Sequence, residues 1–356
     1  MYKLLEKAEK YDDIVVWGFG GRGKYLFNLL QNNFPNKSLH LCDRAKHTNH
    51  NYTILLPENA YEQYQNALFV VGIEIQKRSI IDDMRKLGIP AGNIFLLRGV
   101  THNLDYHLTE HCNLNCIGCC HFSNLAKEEF ADLETFEKDT RQIAKIFNQN
   151  LYSYNLLGGE PLLHPDIEKF AIAARTILPK SIIRILTNGI LLPNMPDSFW
   201  VTCNSNNIDI NVTHLPIKIN LPLIEKKRKE FGVVVIYTNE ERAWSKKILN
   251  IEGTCDPEES FRNCGQDTNC SRLYKGRLYP CTIVGNAEHF NRKFGSNLAH
   301  ASEDSLDIYA VNNAQEIFDW ISKPKHFCRY CDVKKWHGIE WRTSTKTIEE
   351  YLLNSP

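Results

Sequence analysis

Strand and helix segments alternate along residues 104–250, and this alternation constrains the fold more than any other feature. Apolar runs such as "SYNLLGGE" and "SIIRILTNG" are each followed by a segment of helical periodicity, at least five times in succession. Strands that alternate with helices form parallel sheets joined by right-handed crossovers. The pattern predicts a partial (β/α)6 barrel at residues 100–250, with its functional groups at the C-terminal ends of the strands.

Residues 1–99 alternate in the same way and predict a small Rossmann-like parallel sheet of about four strands. The run "GFGGRG" (18–23) stands between a predicted strand and a helix, and an acidic residue ends the next strand about 20 residues later. This is the arrangement of a nucleotide-binding fingerprint, in which glycines admit a pyrophosphate and the acid takes a ribose hydroxyl. The alternative is a docking or oligomerisation domain with an unused glycine turn. The candidate nucleotide-binding residues are Gly18, Gly20, Gly23 and Asp43.

Periodicity fades in residues 251–356, where cysteine, glycine and asparagine surround short hairpin-like runs such as "RLYKGRLYPC". We expect a small cysteine-rich α+β domain that is held by something other than a large apolar core. The C-terminal run "WHGIEWRTSTKTIEEYLL" is interpreted as a packed helix.

Composition narrows the class of partner. The 356 residues include 42 basic and 42 acidic side chains, and this balance gives no reason to expect nucleic acid or a membrane surface as a partner. No apolar run approaches the roughly 18 residues that a spanning helix needs. We therefore expect a cytoplasmic protein, in which clustered thiols serve metal or redox chemistry in preference to disulfides.

Three of the twelve cysteines have the spacing C-x3-C-x2-C directly after a predicted strand, at Cys112, Cys116 and Cys119. A structural zinc site requires four ligands, so three thiols are the wrong number for zinc. A four-iron cluster normally takes four cysteines, and a three-cysteine loop leaves one iron open to another ligand.

This spacing, together with "GGEPLLHP" (158–165) and "LTNG" (186–189), resembles the motifs of the radical S-adenosylmethionine (SAM) enzymes. Each motif ends a predicted strand, in the expected order, and the resemblance covers roughly residues 104–250. It implies a SAM-binding 4Fe-4S cluster on the three cysteines and SAM as a cosubstrate. It also implies a set of SAM-binding residues, namely Gly158, Gly159, Glu160, Pro161, Thr187, Asn188 and Gly189.

The cysteine loop departs from the family pattern at Gly118, where an aromatic residue usually lies against the adenine. Phe122 or Ile117 is expected to replace it. Cys120 is interpreted as a packing residue and His121 as a hydrogen-bonding residue of the loop.

The later cysteines resemble the twitch or SPASM extensions that hold auxiliary four-iron clusters. Their number suggests one further 4Fe-4S cluster, with zinc as the alternative. The expected ligands are Cys281, Cys328 and Cys331, with either Cys264 or Cys270 as the fourth.

Together these features predict a radical SAM oxidoreductase or epimerase, reduced by a flavodoxin or ferredoxin-type protein and acting on a small molecule. The Rossmann-like unit favours a carbohydrate or nucleotide-sugar substrate, as in surface-glycan or secondary-metabolite biosynthesis. Epimerisation would use a spare thiol as hydrogen donor, and Cys120, Cys203 and Cys255 are candidates. A peptide-modifying maturase is the alternative, although neither end shows a leader-binding segment. A non-catalytic iron–sulfur carrier or redox sensor would need neither "GGEP" nor "TNG".

Overall fold

The computed structural model describes residues 2–18, 21–44, 53–71, 77–96, 103–238, 243–264 and 271–352. It divides into two compact units, residues 1–101 and 102–356, and each is described by itself. No helix in the described ranges is both long and apolar enough to span a bilayer.

The first unit is a five-stranded sheet of order β3-β2-β1-β4-β5, in which every neighbouring pair is parallel. This is the strand order of doubly wound nucleotide-binding sheets. The sequence predicted four of these five strands. It did not predict β3, because this strand has only two residues. The elements are α1 (Tyr2–Ala8), β1 (Asp13–Trp17), α2 (Gly21–Asn33), β2 (Ser38–Cys42), β3 (Ile54–Leu55), α3 (Pro57–Gln63), β4 (Leu68–Val71), α4 (Lys77–Lys86) and β5 (Ile94–Leu96).

The turn between β1 and α2 depends on glycine. Gly18 has a φ of 111°, and a Cβ added to Gly23 would lie 1.7 Å from the Gly18 carbonyl oxygen. The two glycines therefore let the helix start close against the end of the strand. Asp43 directly follows β2, and its N–H donates to the carbonyl of Leu55 at 3.0 Å. Gly20 lies outside the described residues.

The second unit is built on an eight-stranded sheet of order β10-β9-β8-β7-β6-β12-β13-β14. Its first part comprises β6 (Asn103–Thr109), α5 (Leu133–Ile146), β7 (Ser153–Gly158), α6 (Ile167–Ile177), β8 (Ile182–Thr187), α7 (Asp197–Ser205), β9 (Ile208–Val212), α8 (Leu221–Phe231) and β10 (Val235–Tyr237). These five strands are mutually parallel. These five are the barrel strands of residues 103–238, and the sixth strand of the predicted partial (β/α)6 barrel stays a prediction.

The rest of the unit extends the same sheet at its other edge. It comprises β11 (Ala243–Lys246), α9 (Pro257–Asn263), β12 (Ser271–Tyr274), β13 (Arg277–Tyr279), α10 (Thr282–Phe294), β14 (Leu306–Asp307), α11 (Ala314–Ile321) and β15 (His337–Glu340). Strand β12 pairs parallel with β6 and antiparallel with β13, while β11 and β15 form a separate antiparallel pair. The C-terminal run thus begins as a strand, not as the predicted helix.

An apolar cluster also supports this later segment, contrary to expectation. Ile283, Val284, Ala287 and Phe290 on α10 are buried with Phe327, Tyr330 and other residues. The short spacing of these apolar residues along one helix face explains the packing. Apolar burial and any bound metal would therefore stabilise this region together.

The two faces of the parallel sheet differ. Leu104, Tyr106, Ile183, Ile185 and Ile208 belong to the large core under the helices. The alternate positions point to the opposite face, because side chains of a strand alternate. One row of partners across four strands on that inner face reads Asp105, Asn155, Arg184 and Asp209. Parallel strands are usually apolar on both faces, so this polar row is unusual.

Candidate active site

Three sequence-distant motifs meet at the C-terminal ends of β6, β7 and β8. Asn188 donates from Nδ2 to Asn113 Oδ1 at 2.7 Å, and the same nitrogen lies 3.8 Å from Cys112 Sγ. The N–H of Glu160 donates to the His111 carbonyl at 3.1 Å. Because parallel strands end at one edge of a sheet, residues far apart in sequence reach the same place.

Gly158 and Gly159 allow β7 to pack against the start of the cysteine loop. A Cβ on Gly158, whose φ is 150°, would lie 2.1 Å from the Thr109 carbonyl oxygen, and one on Gly159 would lie 2.0 Å from that of His111. The two glycines therefore approach another part of the chain closely, whereas the sequence motif suggested that they approach a ligand. These glycines fix the position of the loop that bears Cys112.

Glu160 joins two of the motifs from a fully buried position. Its carboxylate accepts from Thr187 Oγ1 at 2.7 Å, from the Asn188 N–H at 2.9 Å and from the Leu162 N–H at 3.1 Å. Burial raises the pKa of Glu160 to about 7, although these three donors favour the charged form. Pro161 begins a short 3-10 helix at Pro161–Leu163, and Gly189 adopts a φ of 80° after Asn188.

The three cysteines of the first set are partly buried on one loop. Burial raises the pKa of Cys112 to about 12, and the nearby Glu160 and Cys116 act in the same direction. Burial likewise raises the pKa of Cys116 and of Cys119. Binding a metal must therefore displace protons from these thiols.

The donor set fits a four-iron cluster with one open iron, because Cys116 is near enough to affect the pKa of both Cys112 and Cys119, and Cys112 lies beside Asn188 of the third motif. No three Cys, His, Asp or Glu side chains in the described ranges have the spacing that a single metal ion requires. A four-iron cluster instead takes each thiolate at a different iron.

A C-terminal strap, residues 342–351, holds the cysteine loop from outside the barrel. Ile117 N–H donates to the Arg342 carbonyl at 3.0 Å, and Ser344 N–H donates to the Asn115 carbonyl at 2.7 Å. The strap is itself fixed by Glu350, which is 3% exposed and accepts from the N–H and Oγ1 of Thr345 at 2.7 and 2.9 Å. No sequence motif indicates this pairing.

Two expectations for the loop are corrected. Phe122 is 1% exposed and packs against Phe290 and Tyr351, with ring centroids 5.4 Å away in each case. Ile117 is buried as well, so neither side chain offers a surface to an adenine. Cys120 packs beside the same apolar cluster as expected, and His121 forms the expected hydrogen bond, to His107 at 3.1 Å.

Four cysteines of the second set line one largely apolar cavity. Cys264 caps α9, Cys281 precedes α10, and Cys328 and Cys331 lie in and after the 3-10 helix His326–Tyr330. Burial raises the pKa of Cys281 to about 12, and Cys264 and Cys328 are near enough to raise it further. Of the two proposed fourth ligands, Cys264 lies in this cavity, and Cys270 falls outside the described residues.

Two of the three spare thiols lie away from the cysteine loop. Cys203 lies on α7, where it is 1% exposed and belongs to the large core. Cys255 accepts from Asn250 Nδ2 at 3.3 Å and lines a pocket with Cys331, so it belongs to the surroundings of the second set. Neither position suits a hydrogen donor at the first set.

A buried polar cluster below the loop was missed by the sequence analysis. Glu110 accepts from His289 Nε2 at 2.8 Å and from Arg272, and its Oε2 lies 3.7 Å from His107 Nδ1. These partners lie 162 and 179 positions away along the chain. No local motif indicates such a cluster.

Comparison with known proteins identifies the domain that carries this site. Residues 106–231 match the family model of the Radical SAM superfamily. A GTP 3',8-cyclase of Heliobacterium modesticaldum is 33% identical over 92 residues, which are 26% of this chain and 28% of that protein. Molybdenum cofactor biosynthesis protein 1 of Bos taurus is 35% identical over 134 residues, which are 37% of this chain and 20% of that protein. The chain thus spans less than a third of these relatives' length.

Solved structures with a similar arrangement are more distant. BtrN in complex with AdoMet and 2-DOIA aligns with a TM-score of 0.41 and 15% identity, over 66% of this chain and 94% of that one. Streptococcus suis SuiB bound to the precursor peptide SuiA aligns with a TM-score of 0.30 and 14% identity, over 74% of this chain and 73% of that one. The match to the Radical SAM superfamily model covers residues 106–231, the part of the chain that carries the three motifs.

Proposed function

We propose that this chain is a radical SAM enzyme that reductively cleaves SAM and abstracts hydrogen from a carbohydrate or nucleotide-sugar substrate. The observation that carries the proposal is the meeting of three motifs, since Asn188 reaches both the Cys112 thiol and Asn113 while its backbone binds Glu160. A purely structural cluster site or an electron carrier has no need of the last two motifs.

The chain's own residues hold the reactants. When bound, the cluster supplies the electron that splits SAM into methionine and a 5'-deoxyadenosyl radical, and a flavodoxin or ferredoxin-type protein restores that electron. Cys112, Cys116 and Cys119 would hold the cluster. Glu160 and Asn188 would receive the polar methionine end of SAM, because the Asn188 side chain lies beside Cys112 and its N–H donates to the Glu160 carboxylate. The protein's part is to orient the substrate C–H bond and to exclude water.

Two features support a hydroxylated substrate. The inner face of the sheet carries Asp105, Asn155, Arg184 and Asp209 in one row, and the buried Asn155 Oδ1, which has no hydrogen-bond partner among the described residues, is an acceptor for a substrate hydroxyl. The first unit has the strand order and the glycine turn of nucleotide-binding sheets. We propose that this unit binds a nucleotide.

We further propose a second four-iron cluster at Cys264, Cys281, Cys328 and Cys331. Their common cavity supports this ligand set. Such a cluster can accept the electron released in a dehydrogenation, whereas an epimerisation needs a hydrogen donor, for which Cys120 is the remaining candidate thiol of the three.

The test is anaerobic incubation of reconstituted protein with SAM, dithionite and a panel of nucleotide-sugars, with mass spectrometry of 5'-deoxyadenosine and of each sugar. We expect 5'-deoxyadenosine to form and to rise with the correct sugar, whose mass falls by two hydrogens on dehydrogenation. Epimerisation would leave its mass unchanged in H2O and would raise it by one deuterium when the reaction is run in D2O. Absence of 5'-deoxyadenosine from protein with a full iron content would refute the proposed function.

A further inference from the structure

A cleft opens beside the cysteine loop, where β12 separates from β6. The two strands pair only as far as Leu273 and Tyr106, after which β12 turns away at Lys275 and β6 continues. Residues 129–131 run back along the upper part of β6, with the Glu110 N–H donating to the Glu129 carbonyl at 3.1 Å. The resulting cleft has a volume of about 220 Å³ and lies outside every motif described above.

The floor of the cleft is polar and buried. It is lined by Tyr106, His107 and Glu110, all at most 5% exposed. His107 bonds through Nε2 to His121, but its Nδ1 has no hydrogen-bond partner among the described residues. Glu110 Oε2 is 3.7 Å from that nitrogen, which is within ion-pair distance but too far for a direct hydrogen bond. A buried polar atom without a partner is costly, so His107 points to a ligand.

The rim combines carboxylates with aromatic rings. Glu129 and Asp132 are exposed, Phe130 is 39% exposed, and Tyr274 lies opposite them. Glu129 Oε1 accepts from Tyr274 Oη at 3.1 Å and from Lys275 Nζ at 3.3 Å, so the two sides of the cleft are joined across its mouth.

Charge selects among polar ligands. The carboxylates that line the cleft are Glu110, Glu129 and Asp132, and Lys275 is the one lysine or arginine among the lining residues. Arg272 does not line the cleft but pairs with Glu110, and Lys275 pairs with Glu129, so the three carboxylates face two cations and one negative charge is in excess. Hydroxyl and ammonium groups donate to carboxylates, whereas a further carboxylate or phosphate would be repelled. Aromatic walls suit the C–H face of a saturated ring and attract a cation.

We propose that this cleft binds the hydroxylated ring of the substrate, and that it accepts a cationic or neutral ring in preference to an anionic one. The inference rests on the proposed function, because it takes the ring to be that of the enzyme's substrate. Position supports it, since Glu110 stands two residues before Cys112, and His121, the partner of His107, stands two residues after Cys119. A ring in the cleft would lie next to the loop on which SAM is expected.

The experiment measures sugar binding to the full chain without SAM or reductant, by saturation-transfer NMR titration with glucosamine, glucose and glucuronate. We expect glucosamine to bind most tightly, glucose less tightly and glucuronate least. Glu129→Gln should weaken glucosamine binding by about fivefold or more, because one charged hydrogen-bond acceptor is lost. Glu128→Gln is the matched control, since Glu128 is an exposed neighbour that does not line the cleft.

Two results would overturn the inference: glucuronate binding as tightly as glucosamine, or equal affinities of the Glu129→Gln and Glu128→Gln variants. Lack of binding by any of the three sugars would overturn it too. Its failure is separable from that of the proposed function, because SAM cleavage by the wild-type chain is read independently as 5'-deoxyadenosine. A chain that cleaves SAM but binds no sugar in the cleft would retain the function and lose this site.

Discussion

Replacing Glu350 by glutamine should release the C-terminal strap from the cysteine loop. Glu350 is buried and its carboxylate accepts from Thr345 N–H, Thr345 Oγ1 and Ser344 Oγ. Glutamine has the same shape as glutamate, but its NH2 group replaces one acceptor oxygen and would face the donor groups of Ser344 or Thr345. Charged hydrogen bonds of this kind are worth about 1.5–3 kcal/mol each, so we expect about 2–3 kcal/mol for the change.

That loss should appear as faster hydrogen exchange on the cysteine loop, in the metal-free chain. The reporters are Ile117 and Ser344, whose N–H groups pair the loop with the strap at 3.0 and 2.7 Å. About 2–3 kcal/mol corresponds to an increase of about 30- to 150-fold in strap opening, and exchange at both amides should rise accordingly. Glu349→Gln is the matched control, because Glu349 is exposed and adjacent. Equal exchange in the two variants would refute the role given to the strap.

Three further predictions concern the glutamate of the second motif, the second cysteine set and the first unit. Burial raises the pKa of Glu160 from 4.5 to about 7, so its contribution to the unfolding free energy falls as pH rises through that range. In urea titrations from pH 4.5 to 7, the wild type should therefore lose stability relative to the Glu160→Gln variant. A constant difference in unfolding free energy between the two proteins would contradict this prediction. After anaerobic reconstitution, the Cys264→Ala variant should bind about four fewer irons per chain than the wild type, and the Cys255→Ala variant should bind the same number. Loss of iron from the Cys255→Ala variant alone would show that Cys255, and not Cys264, is the ligand. Gly23→Ala should lower the melting temperature of the first unit, because its Cβ would lie 1.7 Å from the Gly18 carbonyl oxygen. Gly92→Ala is the control and should leave the melting temperature unchanged, because no atom lies within 4 Å of the added Cβ. Equal melting temperatures of the two variants would show that the turn between β1 and α2 does not require glycine at position 23.

The parts of the fold that follow local periodicity could be predicted from the sequence. Strands β6 to β10 have alternating or continuous apolar residues, and each ends near a glycine or a polar residue. Once these strands are taken as parallel, the positions after Thr109, Gly158 and Thr187 must share an edge. The contact between Asn188 and Cys112 is therefore a consequence of the pattern.

The parts that depend on distant contacts could not be predicted. The pairing of Ile117 with Arg342, and that of Glu110 with Arg272, join residues that no sequence window contains. Phe122 adopts a φ of 51°, and this turn directs its ring into the core and away from the loop surface.

The prediction of a C-terminal helix was wrong, and the composition of this segment explains why. The run "TSTKT" (343–347) is rich in threonine and serine, which have low helix propensity and bind their own backbone. In the structure, Ser344 accepts from the Lys346 N–H at 2.9 Å and so stabilises a turn.

We propose that Cys112, Cys116 and Cys119 hold the cluster at which SAM is cleaved, and that a separate set of cysteines holds another. The direct measurement is iron content and 5'-deoxyadenosine formation in the variant with alanine at all three positions, after anaerobic reconstitution beside the wild type. The wild type should bind about eight irons and the variant about four, with no 5'-deoxyadenosine from the variant. A triple variant that still produces 5'-deoxyadenosine with SAM and dithionite would contradict the account.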